Sequence, residues 1–349
     1  MIYAESEFLR FTADSQRIAA NLEQAYYAWL EVVRQLREMP STMHWVARGD
    51  SAYLSVKMYS NDSGTTIGKR GPSTEKMLAE YQRGKSVLKE RVATLDTLVS
   101  ERASLYRRLR FLPTIPDRQA EILREIDISG KLSNDLMVVG TNAFSAYELA
   151  CGARFPAGNE ETEDFDLTWC RPASSSPSEH PRKTLFGILR SIDSTYRINP
   201  KKPYRATNST GYEVELLAAP SRHPFPSEEI FSPMATLIEQ EWLLNGSPIG
   251  NVIATIRNRA CPLYVPDPRW MALHRLWLSE KPERNPLKRE KDARQGNVLL
   301  DAVRYFLPHS HPLNNDFVLG LPGDLLPYFN EWAKGRDFIP ENPAQFDSP

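Results

Sequence analysis

A turn formed by Gly140, Thr141 and Asn142 has the residue types of a phosphate-binding site. An apolar run over residues 136–139 predicts a strand that stops at the glycine, and the pattern over residues 142–150 predicts that a helix follows. Such a turn directs backbone N–H groups and a hydroxyl toward a phosphate. Gly140 would allow the backbone to approach a triphosphate closely, Thr141 would donate a hydrogen bond to a phosphate oxygen, and Asn142 would assist.

Carboxylates that could bind divalent cations follow this turn along the chain. Asp164 and Asp166 are separated by one residue on a run whose alternation predicts a strand, so both side chains are expected on one face. Glu215 lies on a later predicted strand, over residues 212–217, and Glu213 shares its face. Because hard cations such as Mg²⁺ and Mn²⁺ prefer carboxylate oxygens, we predict that Asp164, Asp166 and Glu215 are metal ligands. Glu213 is an alternative for the third position.

These candidate residues fall within a predicted mixed α+β domain at residues 130–225. Besides the strands already named, the pattern predicts a helix near residues 182–189 and a strand near Tyr196. A stretch rich in serine and proline, at residues 172–181, is typical of a loop. The domain would therefore place the turn and the carboxylates on neighbouring strands of one sheet.

The region before this domain, residues 1–129, is predicted to be helical with a β-hairpin. A long first helix carries apolar residues at spacings of three and four and ends at Pro40. Period-two alternation on both sides of a turn rich in Asn, Asp and Gly predicts a hairpin over residues 52–70. We expect a second long helix to begin with a cap at Ser73 or Thr74.

The region after the domain, residues 226–335, is predicted to be mostly helical, with a loose tail at residues 336–349. Asp267 followed by Pro268 is typical of an N-cap and a first helical position. A later helix, starting near Leu287, carries polar side chains at spacings of three and four that share one face: Lys288, Lys291, Asp292 and Gln295. That face is either an exposed helix surface or a surface turned toward a ligand.

One histidine and the cysteines are interpreted as structural. His274 lies on a predicted helix among tryptophans, which favours a packed core histidine over a catalytic base. Cys151, Cys170 and Cys261 are far apart and lack metal-ligand spacing. We expect reduced and mostly buried thiols.

The composition is that of a soluble protein, with 41% hydrophobic residues, 25% charged residues and a formal net charge of −1. No apolar run approaches the length of a membrane span, and the first residues lack the basic start and apolar core of a signal peptide. We therefore expect no membrane contact and a cytoplasmic location.

The charge is unevenly distributed along the chain. Residues 45–110 hold 13 Lys and Arg against 7 Asp and Glu, a surplus of six positive charges. A basic segment attached to an otherwise acidic chain favours contact with a nucleic acid. In the hairpin, aromatic and basic side chains interleave, which would suit such a contact: Tyr53, Lys57, Tyr59, Lys69 and Arg70. The alternatives are solvated helices and a hairpin whose tyrosines pack on its neighbours.

Taken in order, these motifs resemble a known enzyme superfamily. The Gly140-Thr141 turn before a helix, the stretch from Thr162 to Asp166, and Val214-Glu215-Leu216 are similar to the DNA polymerase β-like nucleotidyltransferases. Within that superfamily the chain most resembles a bacterial branch that is similar to abortive-infection-type toxins. The resemblance extends to the N-terminal helices with their hairpin and to the later helices. It departs at two positions, with threonine in place of the usual serine after the glycine and glutamate in place of the usual third aspartate.

The resemblance implies an α+β fold with a nucleotidyltransferase-type mixed sheet, flanked by an N-terminal helical and hairpin region and C-terminal helices. It implies metal-dependent transfer of a nucleoside monophosphate from an NTP to an acceptor hydroxyl, with release of pyrophosphate. RNA, including a tRNA end, a protein side chain and a small molecule are the candidate acceptors. In related enzymes a helical domain supplies basic groups to the triphosphate, a role for which Lys288 and Lys291 are candidates.

Two other functions remain open from the sequence. One is a nucleic-acid-binding regulatory or toxin–antitoxin component that has this fold without transfer activity. The other is a purely structural interaction protein, which would bind no NTP.

Overall fold

The computed structural model describes residues 1–59, 62–156, 164–171, 184–222 and 235–341. The helices in these ranges are α1 (Ala13–Glu38), α2 (Pro72–Arg108), α3 (Asp117–Ile128), α4 (Phe144–Cys151), α5 (Leu185–Ile192), α6 (Pro268–Ser279), α7 (Pro286–Phe306), α8 (Asn315–Leu319) and α9 (Leu326–Lys334). The strands are β1 (Leu9–Arg10), β2 (Thr42–Arg48), β3 (Ser51–Lys57), β4 (Thr65–Lys69), β5 (Thr114–Ile115), β6 (Leu136–Val138), β7 (Ala153–Arg154), β8 (Asp164–Trp169), β9 (Arg197–Ile198), β10 (Arg205–Thr207), β11 (Glu213–Ala218), β12 (Ala235–Thr236), β13 (Ile249–Thr255) and β14 (Ala260–Val265). This architecture confirms the predicted α+β class.

The central sheet is mixed and has the strand order β6-β8-β11-β10-β9, with β12 also paired to β11. β8 and β11 are parallel, while β6 runs antiparallel to β8 and β10 runs antiparallel to β11. Alternate residues of β8 and β11 are fully buried in the core, as period-two alternation requires. Strands predicted near Leu136, Asp164, Tyr196 and Glu213 are therefore present. The predicted loop at 172–181 lies outside the described residues.

The N-terminal region consists of α1 and α2, which pack on each other, and a small antiparallel sheet, β2-β3-β4. The predicted long helices and the β3–β4 hairpin are confirmed. The sequence pattern did not predict β2, because Thr42–Arg48 does not alternate regularly between apolar and polar residues. The predicted cap of α2 is two or three residues late, since Gly71 is the N-cap and its N–H donates to Thr74 Oγ1 at 3.0 Å.

The C-terminal region begins with strands before its helices. β13 and β14 form an antiparallel hairpin, and β13 also pairs in parallel with β5. This hairpin was not predicted from the sequence, because most residues of both strands are buried. Buried strands lack the apolar–polar alternation that identifies a half-buried strand.

The helices that follow agree with the predicted stripes. The Asp267 carboxylate caps α6 by accepting from Arg269 N at 2.9 Å. α6 and α7 approach closely at Gly296, where a Cβ would lie 2.8 Å from Ala272 O. The apolar stripe of α7 packs in the main core, as predicted: Leu299, Ala302, Val303 and Phe306.

The remaining features concern membranes and thiols. Among the described residues, no helix is both long enough and apolar enough to cross a membrane. The three cysteines are free, and Cys151 and Cys261 are buried, as expected. Burial raises the pKa of both buried thiols, so they stay protonated.

Candidate active site

Two acidic residues, Asp166 and Glu215, lie directly opposite each other on the parallel strands β8 and β11. The same register places Asp164 opposite Glu213. The alternate residues of both strands are fully buried, which turns Asp166 and Glu215 to the other face of the sheet: Phe165, Leu167, Val214 and Leu216. The side chain of Asp164 is outside the described part of the structure, so its place is given by the backbone register alone.

The turn after β6 lies against Asp166. Val139 N donates to the Asp166 carbonyl at 3.0 Å, which fixes the end of β6 beside β8. Gly140 follows with a φ of 77°, and a Cβ there would lie 2.7 Å from Asp166 Oδ2. Two features therefore require glycine at this position: the left-handed backbone and the close approach to the Asp166 carboxylate. The predicted turn and the predicted carboxylate are brought into contact.

Two glutamines hold the polar residues of the turn. Gln295 on α7 donates from Nε2 to Thr141 Oγ1 at 3.3 Å, and Gln119 on α3 donates to Asn142 Oδ1 at 3.0 Å. Both glutamines are almost completely buried. A buried side-chain amide that donates a hydrogen bond to a hydroxyl or to another amide fixes the orientation of that acceptor group. These two contacts therefore position the turn. Sequence reasoning grouped Gln295 with the polar stripe and missed Gln119.

Arg205 on β10 forms ion pairs with both glutamates of β11. Its Nη1 donates to Glu213 Oε2 at 2.6 Å, and its Nη2 donates to Glu215 Oε1. Burial lowers the pKa of Arg205, the charges of Glu215 and Glu213 raise it, and the net direction is upward. One cation thus bridges two neighbouring carboxylates and offsets their mutual repulsion. Sequence reasoning missed Arg205, because a strand of three residues is too short to show a periodic pattern.

A tyrosine beside the site remains a neutral phenol. Burial raises the pKa of Tyr212 far above its usual value, and the negative charge of Asp166 contributes to the rise. Tyr212 directly precedes β11. It therefore adds a polar but uncharged group near the carboxylates.

One residue of the polar stripe of α7, Gln295, contacts the Gly140 turn. Lys291 and Lys288 precede Gln295 by four and seven residues, so all three share a helix face, and Gln295 contacts Thr141. Lys291 is half-buried and Lys288 is exposed. One helical turn is about 5.4 Å, a length that a lysine side chain can span. The contact of Gln295 favours a surface turned toward a ligand over a freely exposed face.

The same helix is anchored by a buried ion-pair network. Asp292 is 1% exposed and accepts from Arg275 Nη1 at 2.6 Å and from Arg284 Nε. His274 beside it is buried among tryptophans, and neither ring nitrogen has a hydrogen-bond partner among the residues that the structure describes. Burial, then the charges of Arg275 and Arg284, lowers the pKa of His274 to about 3. The interpretation of His274 as a core residue agrees with this environment.

The carboxylates of the candidate site are oxygen donors of the kind that a hard cation prefers. Among the described residues, no three His, Cys, Asp or Glu side chains are grouped as metal ligands. Asp166 and Glu215 supply adjacent carboxylates, and the absence of a Cβ at Gly140 keeps backbone close to Asp166. Oxygen donors of this kind fit Mg²⁺ or Mn²⁺.

Comparison with known proteins gives one family. A family model described as nucleotidyltransferase matches residues 117–315, more than half of the chain. The match begins at α3, which carries Gln119, and ends at α8, so it includes the turn, both carboxylate strands and α7. Comparisons with curated proteins and with solved structures found no match.

Proposed function

The chain belongs to a nucleotidyltransferase family, and we propose that it transfers a nucleoside monophosphate from an NTP to an acceptor hydroxyl, with release of pyrophosphate. The observation that carries this proposal is the contact between the Gly140 turn and Asp166, with Glu215 opposite Asp166. A phosphate-binding turn and a pair of carboxylates would then act on the same triphosphate.

In this proposal Asp164, Asp166 and Glu215 hold Mg²⁺ or Mn²⁺. When bound there, these ions would neutralise charge on the transferred phosphate and ease deprotonation of the acceptor hydroxyl. Of the two glutamates, Glu215 is the better candidate because it is opposite Asp166, the residue in contact with the turn. Glu213 is opposite Asp164 and also accepts from Thr207 Oγ1 at 3.4 Å.

The turn and α7 bind and orient the triphosphate. Gly140 and Thr141 present backbone N–H groups and a hydroxyl to its oxygens, while Gln295 fixes the Thr141 hydroxyl. Lys291 and Lys288 supply positive charge from the same helix face as Gln295. Two or more fixed donors around a phosphate lower the entropy cost of reaching the reactive geometry.

Arg205 keeps the two glutamates from repelling each other before the nucleotide arrives. Two carboxylates on neighbouring positions of one face destabilise a strand unless a cation lies between them. Arg205 supplies that cation through its contacts with Glu213 and Glu215. We propose that it also fixes the rotamer of Glu215, which then presents its second oxygen to the site.

The finer family assignment and the acceptor are part of this proposal. We place the chain in the DNA polymerase β-like superfamily, near the abortive-infection-type toxins, and assign it a cytoplasmic role. The acceptor is an RNA, a protein or a small molecule, and the basic segment at residues 45–110 favours RNA among these.

A second candidate function is nucleic-acid binding on the same fold without transfer, as in a regulatory or toxin–antitoxin component. The ion pairs of Arg205 with Glu213 and Glu215 favour it, because a guanidinium already neutralises both carboxylates. Under this alternative, nucleic-acid affinity would be independent of metal and NTP.

The test is a transfer assay with each α-³²P-labelled NTP, Mg²⁺ or Mn²⁺, total RNA and cell lysate. We expect label in one acceptor class with the wild type and none with Asp166→Asn. Asp316→Asn, which changes an exposed carboxylate at the start of α8, is the matched control and should transfer normally. Equal labelling by Asp166→Asn and the wild type would refute the proposed site.

A further inference from the structure

We propose that the outer face of the β2-β3-β4 sheet binds a single-stranded polynucleotide. The outer face is defined here by Arg48 on β2, Tyr53 and Lys57 on β3, and Thr66 and Lys69 on β4. This proposal rests on the proposed function and names a polynucleotide as the acceptor class. It also assigns the nucleic-acid contact predicted for residues 45–110 to one surface of that segment.

The strand register places these side chains on one face. Tyr53 pairs with Val46 on one side and with Lys69 on the other, and paired residues of an antiparallel sheet share a face. Arg48 confirms the arrangement by a direct contact, because its Nη2 donates to Thr66 Oγ1 at 3.2 Å. The Arg48 guanidinium also lies 5.9 Å from the centre of the Tyr53 ring.

The opposite face of the sheet is covered by α2. Leu54, which alternates with Tyr53, is fully buried and pairs with Trp45 and Gly68. A Cβ at Gly68 would lie 3.4 Å from Thr74 Cγ2 on α2. Both β2 and β4 pack on that helix. The outer face is therefore the side not packed on α2: Ser55 in its middle is buried, with Gly64 beside it, while Tyr53 and Lys57 stay partly exposed and Arg48 and Lys69 exposed.

The outer face is positively charged without internal compensation. The three strands contain Arg48, Lys57 and Lys69 and no Asp or Glu. None of the three cations forms an ion pair within the described part of the chain. The neighbouring acids lie in the connections, where Asp50 is in the β2–β3 turn and Asp62 accepts from Tyr59 N at 2.8 Å.

The helix α2 holds most of the cations in the basic segment but is not an equivalent surface. It carries acidic residues along its length, and Lys76 lies 3.8 Å from Glu80 on the same helix. The Arg70 ion pair with Glu75 and the Arg124 ion pair with Asp96 place further opposite charges at its surface. Alternating charge of this kind is typical of a solvated helix.

Unpaired cations beside a half-buried aromatic ring fit a polynucleotide better than a protein partner. Lysines and arginines bind successive phosphates, and an aromatic ring offers a stacking surface to any base. β3 has seven residues and so extends over about 20 Å, long enough for several nucleotides. A single strand is favoured because a base must be unstacked to lie on Tyr53.

The test measures binding in the absence of NTP and metal, by fluorescence anisotropy with labelled 12-nucleotide RNA and DNA of mixed sequence. For three phosphate contacts, the slope of log K against log salt is expected to be about −2. Lys57→Gln with Lys69→Gln should reduce the slope to about −0.7. Tyr53→Leu should weaken binding about tenfold while Tyr53→Phe binds normally, because base stacking contributes about 1–3 kcal/mol.

The matched control is Arg83→Gln with Lys89→Gln, which removes two exposed cations from α2. It should leave the affinity within about twofold, because these side chains contact no phosphate in the proposed complex. Thermal unfolding of each variant shows whether the fold is kept. Equal affinity for RNA and DNA would indicate phosphate and base contacts, and tighter RNA binding would indicate contacts to the 2′-hydroxyl; either result supports the inference.

Three results would overturn the inference. The first is no binding of either single strand at about 50 mM salt. The others are an equal loss of affinity in the α2 control and in the Lys57→Gln, Lys69→Gln variant, or tighter binding of duplexes than of single strands. The transfer proposal fails separately. Asp166→Asn should bind polynucleotide like the wild type, so binding without transfer would refute the transfer proposal alone, and transfer without binding would refute this inference alone.

Discussion

Glu215 lies opposite Asp166 on two neighbouring parallel strands, and Glu213 lies opposite Asp164 two residues earlier on the same strands. Since the Gly140 turn contacts Asp166, the register ranks the two glutamates, because Glu215 is the one that lies opposite the carboxylate beside the proposed phosphate-binding turn. The strand register therefore favours Glu215, the predicted ligand, over its alternative Glu213.

This ranking predicts unequal effects of two conservative substitutions. Glu215→Gln should lower kcat by at least about 100-fold, equivalent to about 2.7 kcal/mol of lost transition-state stabilisation, because it removes a charged metal ligand. Glu213→Gln should lower kcat by less than about tenfold, or about 1.4 kcal/mol. Steady-state kinetics of pyrophosphate release would measure both. A larger loss in Glu213→Gln would assign the third ligand to Glu213.

Gly140→Ala should damage both stability and nucleotide binding. The left-handed backbone costs a residue with a Cβ about 1–3 kcal/mol, and the new methyl group would displace the Asp166 carboxylate that lies 2.7 Å away. Gly49→Ala is the matched control, because Gly49 has a φ of 58° and open space around it. We expect chemical denaturation to show destabilisation in both variants and calorimetry to show lost metal-dependent NTP binding in Gly140→Ala only. NTP binding retained by Gly140→Ala would argue against the role of the turn.

Lys291→Ala should raise the KM for NTP by about tenfold with a smaller effect on kcat, since a charge-assisted hydrogen bond to a phosphate contributes about 1.5 kcal/mol. Lys288→Ala should have a weaker effect because Lys288 is the more exposed of the two. Lys334→Ala, an exposed lysine at the end of α9, should leave both constants unchanged. If Lys291→Ala behaves like Lys334→Ala, α7 does not contact the triphosphate.

Acid should destabilise the wild type more than His274→Leu. The pKa of His274 is lowered from 6.5 to about 3 in the folded protein, so below pH 6.5 the unfolded state binds the proton first and the folded state loses stability. The difference in free energy of unfolding between the two proteins should shift by about 2 kcal/mol from pH 6.5 to pH 5. Urea denaturation at both pH values measures it. A difference that is independent of pH would mean that His274 has the same pKa in the folded and unfolded states, which would contradict its burial as a neutral ring.

The sequence pattern predicted the candidate site residues that lie on half-buried strands, because such strands alternate between apolar and polar residues. The first four residues of β8 and of β11 alternate between acidic and apolar residues, so a common face for Asp164 and Asp166, and for Glu213 and Glu215, follows from local spacing. The turn at Gly140 follows from the break of an apolar run. Each of these signals spans only a few consecutive residues of the chain.

The residues that position the site could not be found this way. Gln295 and Thr141 are 154 residues apart in the chain, and their contact depends on how α7 packs on α4. Arg205 lies on β10, which is too short for a periodic pattern. β13 and β14 are buried on both faces, which leaves no alternation to identify them.

The central claim, nucleotidyl transfer at the Asp166 site, is tested most directly by following two labels of one NTP. With Mg²⁺ and the acceptor fraction present, we predict that the α-³²P label moves to the acceptor while the γ-³²P label leaves as pyrophosphate, and that Asp166→Asn does neither. Transfer of the γ-³²P label to the acceptor, with the α-³²P label left in a nucleoside diphosphate, would contradict the account.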